Sequence, residues 1–219
     1  MARVLIFGAG DIARLAHYYL THDSPHEVVG FVVDRGFRKH ETLFGLPVLE
    51  DDEAYARFPP GDCAMFVALS YTRMNRARAE KFHAAKERGY SLVSYVSSRC
   101  SYLAPEPPGE NAFILEDNTV QPFVRIGHNV TLWSGNHIGH DSVIDDHCFL
   151  TSHVVVSGNC HIKSYCFIGV NATLRNSIVV AEQTLIGAGA VIMKNTQPKG
   201  VYLPARAELF AKNSDQIEL

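Results

Sequence analysis

The sequence lacks any CxxC pair: its five cysteines, Cys63, Cys100, Cys148, Cys160 and Cys166, are an odd number without metal-ligand spacing. That argues against a disulfide framework and against a zinc site, and a reducing compartment suits free thiols. Basic excess is missing too. With 20 Lys+Arg against 23 Asp+Glu and a net charge of −3, the chain carries no electrostatic footprint for a nucleic-acid backbone. No apolar run approaches the ~20 residues of a membrane span. The opening MARVLIFGAG has one basic residue and meets glycine too early for a signal-peptide core, so a cytoplasmic protein with neither membrane nor nucleic acid as partner is expected. What is there is 219 residues, 47% hydrophobic, enough for one large folded domain or two small ones.

The second half repeats. From Ile114, steps of six reach Val120, Ile126, Leu132, Ile138, Ile144, Leu150, Val156, Ile162, Ile168, Leu174, Val180, Ile186 and Ile192, fourteen branched aliphatics without a gap. Such residues make up about a quarter of a typical chain, so chance does not account for the run. The site two before each aliphatic is usually small, as at Ser142, Cys148, Val154, Cys160, Cys166, Ala172, Thr184 and Ala190, with Ile178, Asn118 and Asn136 as departures. Glycine follows the aliphatic at Gly127, Gly139, Gly169 and Gly187, where a corner with positive φ is expected. Neither 3.6 nor 2 is the period, so the pattern is neither an ordinary helix nor an ordinary strand. A triangular coil fits: each hexad gives one short strand and one corner, three hexads close a turn, and the aliphatics stack as a solenoid core of about four and a half coils. This is the hexapeptide signature of a left-handed parallel β-helix.

Ahead of the repeat, Arg3 to Phe7 reads as a strand running into Gly8-Ala9-Gly10, with a helix over Ile12 to Leu20. Val28 to Val33 ending at Asp34, Ala64 to Leu69 and Ser91 to Val96 read as further strands, and Arg76 to Arg88 as a helix. The alternation predicts a small Rossmann-like parallel α/β domain over residues 1–100, the β-helix over 101–203 and a C-terminal helix or tail over 204–219. The Pro-rich stretch Ala104 to Gly109 marks an irregular first coil.

Gly8-x-Gly10 lacks the third glycine of a dinucleotide fingerprint, Ala13 standing in its place. Two readings stand: backbone N–H groups presented to a phosphate with Asp34 accepting from a ribose or base, or a plain α/β turn with a solvated aspartate. Tyr71 to Arg76 follows a strand at the C-terminal sheet edge, where Arg73 and Asn75 are candidate substrate contacts and solvated helix-start residues are the alternative. Among the histidines of the repeat, His128, His137, His140, His147, His153 and His161, most are expected at the surface. His140 differs by phase. It follows Gly139 at a corner, with Asp141 next to it to fix the tautomer, the arrangement a general base needs.

The whole chain resembles the two-domain sugar O- and N-acetyltransferases of the sialic-acid O-acetyltransferase and bacillosamine-pathway N-acetyltransferase type. The resemblance rests on Leu5 to Gly10, Gly30 to Asp34, Ile138 to Ile144 and Leu185 to Ile192. It implies that His140 deprotonates a sugar amine or hydroxyl and that Asp141 orients it. It further implies a homotrimer, a nucleotide sugar on the N-terminal domain at Gly8, Gly10 and Asp34, and acetyl-CoA as co-substrate between adjacent β-helices, with no metal. Candidate acetyl-CoA contacts are His153, Gly158, Gly169, Gly187 and Arg206, the last in a Leu203-Pro204-Ala205-Arg206 turn like the family's own. A second histidine of the family falls here on Phe149, and His153 is its candidate substitute. The expected activity is N-acetylation of a nucleotide-linked deoxyamino sugar, at a 4-amino group, for surface-glycan biosynthesis such as that of lipopolysaccharide O-antigen. O-acetylation of a sugar, or a non-catalytic sugar-nucleotide-binding scaffold, are the alternatives. A nicotinamide oxidoreductase is disfavoured because about a hundred residues leave no second catalytic domain and the hexads would be unexplained.

Overall fold

The computed structural model describes residues 1–217. Its first part contains β1 (Arg3–Phe7), α1 (Asp11–His22), β2 (Glu27–Val33), β3 (Thr42–Leu43), β4 (Leu46–Glu50), α2 (Asp51–Arg57), β5 (Ala64–Val67) and α3 (Arg76–Glu87). The strands form one sheet in the order β3-β4-β2-β1-β5, parallel except for the β3–β4 hairpin. β1 and β5 are continuous apolar runs because helices or the solenoid cover both faces of the sheet. The expected elements are present, and β3, β4 and α2 add to them. Leu92, by contrast, makes only an isolated bridge to Met65, and Tyr95–Val96 pairs with Phe113–Ile114 instead of joining this sheet.

The solenoid therefore starts at Tyr95. One face stacks seven two-residue strands, from Tyr95–Val96 through Val201–Tyr202. The second stacks six, from Ser101–Tyr102 to Val191–Ile192, and the third four, from Arg125–Ile126 to Val179–Val180. Partners are eighteen residues apart, as Leu132 with Leu150 and Ile138 with Val156. The stack exceeds the coil count expected from the unbroken hexads because two strands precede Ile114 in register and Val201–Tyr202 follows Ile192. The third face starts late where Pro105, Pro107 and Pro108 remove ladder donors. Every inward aliphatic is buried, and so are the small sites between them, including Cys148, Cys160 and Cys166. Asn118 and Asn136 are buried as well. Their amides cap Leu115 and Trp133 carbonyls and the N–H groups of Asn136 and Val154, which makes these departures from the small-residue rule an internal hydrogen-bond ladder.

The corner expectation is corrected. Gly127, Gly139, Gly169 and Gly187 do not have positive φ; every sixth residue from Asn111 to Gly189 does, most of them Asn, Asp or His. These glycines serve close approach between coils: a Cβ on Gly139 would lie 2.5 Å from the Gly158 nitrogen, and one on Gly169 2.5 Å from the Ala188 nitrogen. Where a C-terminal helix or tail is expected over 204–219, the described residues form an exposed tail with a single 3-10 turn at Ser214–Gln216.

The α/β domain docks on the seven-stranded face. Four of the seven outward residues there, Tyr95, Phe113, Phe149 and Phe167, are aromatic and largely covered, whereas the corresponding sites elsewhere include Thr119, His137 and Arg125. Tyr71 packs against Phe149 and Phe167, and Phe66 against Phe113. At the adjoining corner the Asn111 side chain pairs with both backbone groups of Val67 and passes its amide to Asn129, which bonds His147.

Candidate active site

His140 sits on the edge between the second and third faces of the prism, opposite the face that carries the α/β domain. Its Nδ1 lies 2.8 Å from Asp141 Oδ2, with the two side chains 55% and 50% exposed. A carboxylate only accepts, so Nδ1 carries the proton and Nε2 keeps its lone pair. Asp141 reaches back to the ring because its backbone is left-handed, φ 57°. The His140 backbone N–H donates to Gln121 Oε1 at 2.9 Å, and its carbonyl accepts from Asn159 N–H at 2.8 Å. The imidazole lies over Gly158, where a Cβ would stand 2.6 Å from Nε2. The pair is a base with a fixed tautomer on an open edge.

The N-terminal glycine turn and Asp34 meet in one cleft of about 290 Å³, closed on the other side by Phe37, Lys39 and His40 of the loop after β2. Gly8 is required there: its φ is +121°, and a Cβ would lie 2.7 Å from the Ala68 carbonyl oxygen. Gly10 has open space around its Cα at the start of α1. Asp34 is ion-paired to Lys81 of α3, whose ammonium also lies 5.1 Å from the centre of the Phe7 ring. The loop residues and Lys81 are contributions that the sequence pattern did not single out. An apolar wall, two lysines, a histidine and an acceptor make a site suited to a base, a ribose and phosphates.

The other candidates separate. Arg73 is exposed and pairs with Glu80. Asn75 is corrected from substrate contact to structural residue: it is fully enclosed, and its amide donates to the Cys166 carbonyl at 3.0 Å. Beside it Arg78, equally enclosed, donates to Thr131 Oγ1 at 2.9 Å and to the Cys148 carbonyl at 3.1 Å, stacks 5.3 Å from the Phe149 ring, and has its pKa lowered by burial to about 10. Its charge would have suggested a surface residue; the aromatics at Phe113, Phe149 and Phe167, with Thr131 among them, mark the face it meets. Phe149 is buried under that helix, so this site is structural in this chain.

His153, Gly169 and Gly187 lie on the edge between the first and second faces, whereas Gly158 lies on the His140 edge. The His153 ring covers Gly135, where a Cβ would be 2.5 Å from its Cε1. Arg206 is exposed in the tail. Toward the C-terminal end of the solenoid Val191 and Leu203 are exposed and line one shallow apolar hollow. Among the described residues no group of His, Cys, Asp and Glu is arranged to hold a metal, and no helix is long and apolar enough to cross a membrane.

Residues 123–158 match the bacterial transferase hexapeptide (six repeats). The whole chain superposes on a histidine-to-asparagine mutant of perosamine N-acetyltransferase from Caulobacter crescentus, solved with CoA and GDP-perosamine. The TM-score is 0.81 at 21% identity, covering 97% of this chain and 98% of that one. The acetyltransferase domain of PglB from Neisseria gonorrhoeae FA1090 gives 0.79 at 20% identity, over 93% and 97%. WeeI from Acinetobacter baumannii AYE gives 0.76 at 20%, over 92% and 96%. A curated relative, the acyl-[acyl-carrier-protein]--UDP-N-acetylglucosamine O-acyltransferase of Pseudomonas paraeruginosa, is 27% identical over 70 residues, 32% of this chain and 27% of its own length. The chain thus carries the bacterial transferase hexapeptide over residues 123–158 and shares its fold, over nearly all its length, with these three structures.

Proposed function

We propose that the chain is an acetyl-CoA-dependent N-acetyltransferase acting on a nucleotide-linked 4-amino deoxysugar, with His140 as general base. The observation that carries this reading is the His140–Asp141 pair, Nδ1 fixed at 2.8 Å and Nε2 free, on the open edge of a hexapeptide β-helix. The amine nitrogen attacks the thioester carbonyl carbon while Nε2 takes the proton it must lose. The tetrahedral centre then expels the CoA thiolate, which the imidazolium protonates, and Asp141 stabilises the imidazolium in between. Enzymes of this fold solved with CoA and GDP-perosamine support both substrate classes.

Assembly is part of the proposal. The nucleotide cleft belongs to a domain on the first face, whereas His140 stands on the opposite edge, so one subunit does not bring both to the same acceptor. Stacking three prisms side by side lets the His140 edge of one subunit meet the His153, Gly169 and Gly187 edge of its neighbour, with the acetyl-CoA site between them. We therefore expect a homotrimer, in the cytoplasm, where free thiols such as Cys100 stay reduced. The test is CoA release with a panel of UDP-, GDP- and dTDP-linked sugars. Turnover on amino sugars supports the reading, turnover on hydroxyl acceptors alone reassigns it to O-acetylation, and no turnover with any acceptor overturns it.

A further inference from the structure

The backbone N–H of His140 is capped by a side chain, as are two N–H groups at another corner of the prism. At the corner leading into the first face, the capping side chain stands eighteen residues later. Glu110 N–H donates to His128 Nδ1 at 2.9 Å, and His128 N–H to Asp146 Oδ1 at 2.6 Å. Eighteen residues after His140 stands Gly158, which has no side chain to offer. It cannot have one without displacing the base, since a Cβ would lie 2.6 Å from Nε2 and 2.8 Å from Cε1. The cap comes instead from the preceding coil, as Gln121 Oε1 at 2.9 Å.

We infer that Gln121 is a positioning residue for the base, taking over the cap that Gly158 gives up so that the imidazole can lie across the next coil. This rests on the proposed role of His140. His140 is tied to the following coil by Asn159 N–H on its carbonyl, 2.8 Å, and to the preceding coil by Gln121 Oε1; Asp141 N–H adds a longer 3.3 Å bond to the Pro122 carbonyl, between flanking ladder bonds at Ile138 and Ser142. Removing the Gln121 oxygen loosens the histidine and its aspartate together. A misplacement of about an ångström at a catalytic group costs up to about 10²-fold in rate.

Gln121→Ala is expected to lower kcat about tenfold or more with both KM values within about twofold, the signature of a misaligned group acting in the transition state. Gln121→Glu keeps the acceptor oxygen and is expected to regain most of that loss at a pH where imidazole is neutral. Asp146→Ala removes the equivalent cap from His128 and is expected to lower thermal stability without changing kcat. Imidazole nitrogen NMR gives a readout independent of turnover: the single Nδ1–H tautomer of His140 becomes a mixture in Gln121→Ala. An unchanged kcat and tautomer in Gln121→Ala would overturn the inference, as would equal losses of kcat in Gln121→Ala and Asp146→Ala. If the wild-type protein released no CoA with any acceptor, the proposed function would fail, and the NMR comparison would still decide the role of Gln121.

Discussion

Asn129 Nδ2 stands 2.9 Å from His147 Nδ1, deep between the solenoid and α3, and this bond ends a polar ladder that begins at the backbone of Val67. The amide can only donate, so His147 is held as the neutral Nε2–H tautomer. Burial lowers its pKa to about 4. The groups around it, Arg78, His83, His128 and Asp146, leave burial dominant.

Acid sensitivity of the domain junction follows, with a definite window. The folded pKa of His147 lies below its unfolded value near 6.5, so the unfolded chain binds the proton more readily. Its stabilising contribution is complete above about pH 6.5 and is lost as pH falls toward about 4. A second loss follows at lower pH. Asp23, held down to about 2 by hydrogen bonds from Ser98 and then Tyr95, protonates between about 4 and 2. Chemical denaturation across this range should show both steps, and His147→Asn should reduce the upper one, to which His17 and His26, also lowered by burial, contribute, and leave the lower one unchanged. A wild-type stability that does not change from pH 7 to 5 would contradict this.

Coil stacking sets a contrast between two glycines. In Gly169→Ala the new Cβ meets the Ala188 nitrogen at 2.5 Å and the Gly187 carbonyl carbon at 2.8 Å, so the coils must part, at a cost of about 1–3 kcal/mol. Gly10→Ala meets nothing within 4 Å and should stay within about 0.5 kcal/mol of wild type. Urea denaturation of the two variants reads the difference directly, and equal stabilities would refute the close-approach account.

The nucleotide cleft predicts a binding effect without a chemical one. Losing a charged acceptor costs about 1.5–3 kcal/mol, so Asp34→Asn should weaken nucleotide affinity about tenfold or more. The kcat at saturating substrate should hold. Titration calorimetry with UDP, GDP and dTDP would also identify the base, and an Asp34→Asn variant with unaltered affinity would remove Asp34 from the site.

The architecture was legible because the hexad aliphatics, from Ile114 to Ile192, obey one period that the core enforces at every coil. The corner conformation was not, because the left-handed site accepts residues as different as Asn111, Phe123 and Tyr165, while the conspicuous glycines answer to a steric demand from the next coil. His140 and Asp141 were legible as neighbours in sequence. Gln121 was not, since its contact is made between coils and a period of six conceals pairs nineteen residues apart. Asn75 was not legible as a structural residue and Arg78 was not singled out, because only the docking of α3 on Phe149 encloses them.

The central claim is that Nε2 of His140 takes the proton from the acceptor, and steady-state kinetics of His140→Asn test it most directly. The side chain is smaller and polar, and the coil should remain intact. Loss of a general base should lower kcat by about 10²–10⁴ with KM for acetyl-CoA nearly unchanged. Asp141→Asn, which only weakens orientation and charge stabilisation, should cost less. A folded His140→Asn variant with wild-type kcat would contradict the account.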